Sequence, residues 1–253
     1  MTRYCEALGA GPDVVLVHGW GWHGGVWRPA AERLATRFRV WIPELPGHGN
    51  RRQVEVAGGL EDWMNAVRAQ IPAAATWVGW SLGGAIALAA ALARHATRLV
   101  LLGATPRFLR TDGWNCAWPD QTFARFRDDV ERDVDAALER FAGLNAPAGA
   151  VPRTLLRRLR AEIFARGTPA PQGLRVGLDI LRDTDLRSLL ADVAVPTLVL
   201  HGAGDQIVNP QAAAHLARAL PNARHVPVDV AGHALPLSHH AEIAAMIGEF
   251  AGG

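Results

Sequence analysis

Short runs of valine, leucine and isoleucine punctuate the chain without the polar alternation of a half-buried strand. They fall at residues 14–18, 39–45, 76–80, 98–103, 197–202 and 224–230. Such runs predict strands buried on both faces, as in a parallel sheet covered by helices. Between them, residues 26–36, 60–70, 82–95, 211–220 and 239–250 carry helical patterns. This alternation predicts an α/β fold, a mostly parallel central sheet flanked by helices and joined by right-handed crossovers. The rhythm breaks between residues 106 and 185, where the pattern turns helical, arginine-rich and strandless. The expected division is a core of residues 1–105 and 186–253, with residues 106–185 inserted as a helical cap.

A chain of 253 residues suits one such domain carrying an insertion. Hydrophobic residues at 49% and charged residues at 20% fit a globular protein. No apolar run approaches the roughly 20 residues of a membrane helix, so no membrane association is expected. Residues 1–11 lack the apolar core of a secretory signal, and a cytoplasmic location is expected. Two cysteines, Cys5 and Cys116, make neither a disulfide framework nor a four-ligand zinc site, and read as free thiols. All 26 fixed cations are arginine. Chemistry that needs a lysine, such as a Walker A loop, a Schiff base or a Ser-Lys dyad, is therefore excluded. A net charge of +2 gives no argument for nucleic acid, and a monomer is expected.

Charge is unevenly spread in the predicted cap. Residues 112–139 hold eight acids against three arginines, and residues 140–175 hold seven arginines against one glutamate. Two readings stand side by side: helices that pair their charges, or a basic surface that docks an acidic partner.

Residues 19–24, Gly-Trp-Gly-Trp-His-Gly, match the dinucleotide pattern G-x-G-x-x-G, with Glu44 a further 20 residues on. Two tryptophans in the loop oppose that reading, because the pattern needs bare backbone beside a pyrophosphate. A different constellation explains the same glycines. Residues 79–83, Gly-Trp-Ser-Leu-Gly, place Ser81 between a strand and a helix, as a nucleophile elbow requires. The base and acid should follow in the order Ser, Asp, His. Asp205 lies just beyond the strand at 197–202, and His233 just beyond the last strand. Among ten histidines, His18 and His48 precede the serine, and His201 sits within a strand. Asp229, in the last predicted strand, is the rival acid. Ser81, His233 and Asp205 are thus expected to act as nucleophile, base and orienting acid in acyl transfer from an ester. The amide of Leu82, with that of Trp20 from the first loop, is the expected oxyanion hole.

These motifs resemble the α/β-hydrolase superfamily across residues 18–233. A closer resemblance is to the pimeloyl-acyl carrier protein methyl ester esterases of biotin synthesis. It is carried by His-Gly-Trp-Gly at 18–21, Gly-Trp-Ser-Leu-Gly-Gly at 79–84, Glu-Arg-Phe-Ala-Gly-Leu-Asn at 139–145 and Leu-Asp-Ile-Leu-Arg-Asp-Thr-Asp-Leu-Arg at 178–187. The resemblance implies the α/β-hydrolase fold and hydrolysis of the methyl ester of pimeloyl-acyl carrier protein, without metal or organic cofactor. It implies substrate contacts at Trp20, Ser81, Leu82, Phe141, Ala142, Gly143, Leu144, Asn145 and His233. It also implies carrier docking by cap arginines, matched by position to Arg140, Arg153 and Arg157. Glu44 and Asn50 depart from the family's usual Asp and Ser, and Ala136 stands where one cap arginine is usual. The alternative expectation is a broad-specificity carboxylesterase of short-chain esters, since one triad serves many substrates.

Overall fold

The computed structural model describes residues 4–54, 57–149 and 151–253. Each of the six apolar runs forms a strand, and a seventh strand precedes them. The strands are β1 (Cys5–Leu8), β2 (Asp13–Val17), β3 (Arg39–Pro43), β4 (Ala75–Trp80), β5 (Ala96–Leu102), β6 (Thr197–Gly202) and β7 (Ala223–Val228). They lie in the order β1-β3-β2-β4-β5-β6-β7. β1 runs antiparallel to β3, and every other neighbouring pair is parallel. All residues of β4 and β6 are buried, as continuous apolar runs require when helices cover both faces. β1 has only four residues, with a glutamate among them, so hydrophobic pattern alone did not reveal it.

Helices α1 (Arg28–Leu34), α2 (Leu60–Arg68) and α3 (Leu82–Leu92) connect the first strands. Between β5 and β6 stand α4 (Asp120–Arg132), α5 (Val134–Leu144), α6 (Arg153–Ile163) and α7 (Pro171–Asp183). The chain closes with α8 (Pro210–Ala219), α9 (Leu235–Ser238) and α10 (His240–Gly252). α3 is apolar around its circumference and packs on β4, β5 and α2, while α1 packs on α10.

Three boundaries differ from the sequence reading. The helix expected at 26–36 begins as a tight turn, Gly24–Trp27, with His23 Nδ1 accepting from the Gly25 amide. The helix expected at 239–250 runs over His240–Gly252, and a separate short helix, Leu235–Ser238, precedes it. β7 stops at Val228, so Asp229 and Val230 lie outside it, and Val230 is 83% exposed with φ 57°. Segment 106–185 is also not wholly strandless. An isolated antiparallel bridge joins Arg107 to Asp185 where the segment leaves and rejoins the core.

A buried ionic clasp holds the segment on its other side. Arg166, between α6 and α7, donates to Glu44 Oε1 at 2.6 Å and to Glu6 on β1. His23 Nε2 donates to the Glu162 carbonyl at 2.7 Å. Burial alone would raise the Glu44 pKa, but His18, the Gly24 amide and Arg166 outweigh it and hold the carboxyl at about 2.

β3 and β4 lie on opposite sides of β2, so strand order reverses there. In open α/β sheets, ligands bind at the carboxyl ends of strands beside such a reversal. The loop after β2 and the turn after β4 are adjacent at that place.

Candidate active site

Ser81 sits between β4 and α3 with φ 57° and ψ −120°. A non-glycine residue in this region is strained, and it persists only where its surroundings hold it. The Ser81 amide donates to the Leu102 carbonyl at 2.9 Å, and the Ser81 carbonyl accepts from Gly84 at 2.8 Å. Space explains the flanking glycines. A Cβ on Gly83 would lie 2.4 Å from the Val17 carbonyl oxygen, and one on Gly79 would lie 2.2 Å from that of Gly83. Only glycine lets α3 start this close to β2 and β4.

Asp205 follows β6. Its Oδ1 accepts from the Ile207 amide at 2.8 Å and the Val208 amide at 2.9 Å. Its Oδ2 accepts from His233 Nδ1 at 2.7 Å. Burial raises the Asp205 pKa, but the adjacent His233 and His201 and the Val208 amide outweigh it, so the carboxyl stays below its ordinary value. His233 is 1% exposed, and its Nε2 makes no hydrogen bond to a described residue. Trp80 donates from its indole to the His233 carbonyl at 2.8 Å, tying that loop to the end of β4.

His201 Nε2 lies 3.4 Å from Asp205 Oδ2 and donates to the Val208 carbonyl at 2.9 Å. Its position four residues before Asp205 was the sequence signal for this contact, masked by the strand around it. His18 and His48 also have work that chain order did not suggest. His18 Nδ1 donates to the Gly19 carbonyl at 2.9 Å, and its Nε2 accepts from Leu45 at 3.1 Å. His48 Nδ1 donates to the Pro46 carbonyl at 2.8 Å, and its Nε2 accepts from Gly21 at 3.2 Å. Together they fix both ends of loop 19–21 around Trp20. The Trp20 indole donates to the Leu174 carbonyl at 2.9 Å, and its ring meets Phe141 edge-on at 5.0 Å.

Burial lowers the His48 pKa to about 3, so the ring stays neutral and keeps accepting from Gly21. Burial also lowers those of His23 and His201. A histidine harder to protonate folded than unfolded stabilises the fold fully above about pH 6.5, and that contribution fades as pH falls towards the folded value. Thermal stability should therefore decline from pH 6.5 to 4.5, before Glu44 enters its own window. His48→Gln, which can keep both hydrogen bonds, should flatten part of that decline. Melting curves at pH 7.5 and 5.0 check this; an equal drop in both proteins removes His48 from the account.

Two cavities meet at Ser81. One is walled by Trp20, Phe126, Phe141, Trp118, Leu178 and Ile207. The other shares Ser81, Phe108 and Leu181, and adds Thr105, Arg107 and Thr184. Of the five residues expected at 141–145, Phe141 lines the first cavity and Leu144 lines a groove outside it. Ala142, Gly143 and Asn145 do not line the cavity; Ala142 is fully buried, and Asn145 Nδ2 donates to the Phe141 carbonyl at 2.7 Å. Asp229, the rival acid, is exposed beyond β7, whereas Asp205 holds His233. Among the described residues, no cluster of three or more His, Cys, Asp or Glu could hold a metal ion.

The basic residues divide. Arg140 pairs with Asp129 of α4 at 3.2 Å. Arg153, Arg157 and Arg160 flank an open groove on α6 with Leu156, and among the described residues none of the three has an ion-pair partner.

Residues 12–239 match the family model described as alpha/beta hydrolase fold. A pimeloyl-[acyl-carrier protein] methyl ester esterase of Xanthomonas campestris pv. campestris is 41% identical over 98% of both chains. That of Stenotrophomonas maltophilia K279a is 38% identical, over 98% of this chain and 95% of its own. Solved structures of an esterase from Exiguobacterium antarcticum and an enol-lactonase from Burkholderia xenovorans superpose with TM-scores of 0.87 and 0.86. The first is 23% identical and covers 99% of this chain and 95% of its own; the second is 20% identical and covers 99% and 96%. At those identities the two share the fold.

Proposed function

Since the chain belongs to the α/β-hydrolase family, we propose that it is a serine carboxylesterase that hydrolyses the methyl ester of pimeloyl-acyl carrier protein, giving pimeloyl-acyl carrier protein and methanol. The observation that carries the chemistry is the buried Asp205–His233 pair, at 2.7 Å, together with a strained Ser81 that lines two cavities. The substrate comes from relatives of 38–41% identity that span the whole chain.

With Nδ1–H held by Asp205, His233 presents Nε2 as an acceptor. It takes the Ser81 proton as Oγ attacks the ester carbonyl. The amides of Leu82 and Trp20 receive the negative charge that develops on the carbonyl oxygen. His233 returns the proton to the departing methoxide, and methanol leaves. The acyl group remains on Ser81 until a water, deprotonated by His233, attacks it; the acyl–Oγ bond breaks, His233 returns the proton to Ser81 Oγ, and the acid leaves and ionises to the carboxylate. No metal or organic cofactor takes part in this scheme. The apolar walls beside Ser81, Phe141 and Trp20 among them, suit the methylene chain.

We read residues 106–185 as the cap and residues 1–105 and 186–253 as the core. Docking is supported for α6 because Arg153, Arg157 and Arg160 have no ion-pair partner among the described residues, whereas Arg140 pairs with Asp129. Arg153→Glu with Arg157→Glu should cut kcat/KM on the carrier-bound ester about tenfold or more, while a short free ester is turned over at its usual rate. The carrier rate should also fall with salt, since exposed charges are screened beyond about 8–10 Å at physiological ionic strength. Equal losses on both substrates would remove these arginines from docking.

The deciding experiment is release of methanol from pimeloyl-acyl carrier protein methyl ester, read as mass loss on the carrier, with dimethyl pimelate in parallel. Faster turnover of the carrier form supports the proposal. Turnover of the free ester alone keeps the acyl-transfer chemistry and makes the protein a general carboxylesterase.

A further inference from the structure

Resting on the acyl-transfer chemistry proposed above, we propose that His201 is a positioning residue that locks the Asp205 carboxylate in the rotation that holds His233. All six residues of β6 are buried, and His201 is the one imidazole in its Thr-Leu-Val-Leu-His-Gly run. Such a position ordinarily takes an aliphatic side chain. His201 Nδ1 is buried and has no hydrogen-bond partner among the described residues. A buried polar atom without a partner is destabilising, so the ring is a poor choice for packing alone.

The other nitrogen shows what the ring does. A carbonyl only accepts, so the bond to Val208 puts the His201 proton on Nε2. The same nitrogen stands 3.4 Å from Asp205 Oδ2. Val208 is held at both ends: its amide donates to Asp205 Oδ1 at 2.9 Å, and its carbonyl accepts from His201 at 2.9 Å. Asp205, Val208 and His201 thus close a ring of polar contacts that returns to the carboxylate it left. His233 Nδ1 meets Oδ2 at 2.7 Å, the oxygen that His201 flanks.

A carboxylate turns about its Cβ–Cγ bond unless both oxygens are held. The Ile207 and Val208 amides hold Oδ1, and His201 stands beside His233 at Oδ2. The Asp205 side chain has no exposure, so water is not at hand to replace His201. Without His201, Oδ2 should drift from His233, and Nε2 of that ring would face Ser81 less often. Merely pinning the turn would act elsewhere. Ile207 and Val208 wall the two cavities, so a displaced turn alone changes KM and thermal stability.

Three variants separate the two roles. His201→Phe keeps a ring and removes the donor. His201→Asn places its amide near the Nδ1 position, short of the Val208 carbonyl. His201→Gln reaches as far as Nε2 and restores the donor. In the first two, kcat on dimethyl pimelate and the rate of fluorophosphonate labelling should fall about tenfold or more at unchanged KM, the scale of a misplaced catalytic group. His201→Gln should recover most of that loss. The low-field proton resonance of His233 Nδ1–H, identified by its absence in Asp205→Asn, should move upfield in His201→Phe and His201→Asn. It should return towards its wild-type position in His201→Gln. Wild-type labelling rates in folded His201→Phe or His201→Asn overturn the proposal, as does an unmoved resonance. A loss confined to KM or melting temperature also overturns it. The Asn and Gln pair carries the test even where Phe does not fold. Failure of the fluorophosphonate to label wild-type Ser81 would instead refute the acyl-transfer chemistry. Labelling of wild-type protein that no His201 variant slows refutes the positioning role alone.

Discussion

Ser81→Ala should lower kcat on any ester by about 10⁴- to 10⁶-fold while the protein remains folded. The fold should tolerate it because alanine keeps the Cβ that already packs beside Gly19, and faces the same φ of 57° as serine. The hydrogen bonds that hold the elbow use the Ser81 backbone alone. Loss of Oγ therefore removes the nucleophile with little change in packing. The checks are steady-state turnover, labelling by a fluorophosphonate, and the melting temperature. Near-wild-type turnover by a folded variant would show that another group attacks the ester.

Asp205→Asn should cost about 10⁴-fold in kcat. Asp205 Oδ2 accepts from His233 Nδ1 and thereby presents Nε2 without a proton. An asparagine oriented with its amide nitrogen towards His233 donates where the carboxylate accepted. The ring then carries its proton on Nε2, the wrong tautomer to receive one from Ser81. The asparagine oxygen can still accept from Ile207 and Val208, so the turn after β6 should persist. KM should change little, because neither cavity depends on the charge. Turnover and the fluorophosphonate labelling rate should fall in parallel. A loss of less than tenfold would mean that His233 does not rely on this carboxylate.

The core was legible because burial on both faces leaves an unbroken apolar signature, and the elbow because close packing leaves only glycine at 79 and 83. Asp205 and His233 were legible from their places beyond strand ends. The structure puts them 2.7 Å apart, while Asp229 is left in solvent. What escaped had mixed signals. β1 is a short edge strand whose pairing with β3 fixes it more than its own side chains do. His18, His48 and His201 bond to backbone and neighbours that are distant in sequence or hidden within a strand, so residue type and chain order gave them no role. The clasp from Arg166 to Glu44 spans 122 residues, a pairing no local pattern encodes.

Arg107 and Asp185 face each other across a single antiparallel bridge. Residues so paired stand about 5 Å apart at their Cα atoms. Seventy-odd residues thus depart from the sheet and return to it at one point, like a loop drawn through a ring. Such a segment can grow, shrink or be exchanged over generations without shifting β5 or β6, and so without moving the turn that holds Asp205. Selection could then revise which esters enter while the machinery that cleaves them stays in register. Across descendants of this architecture, divergence should concentrate on the far side of that bridge.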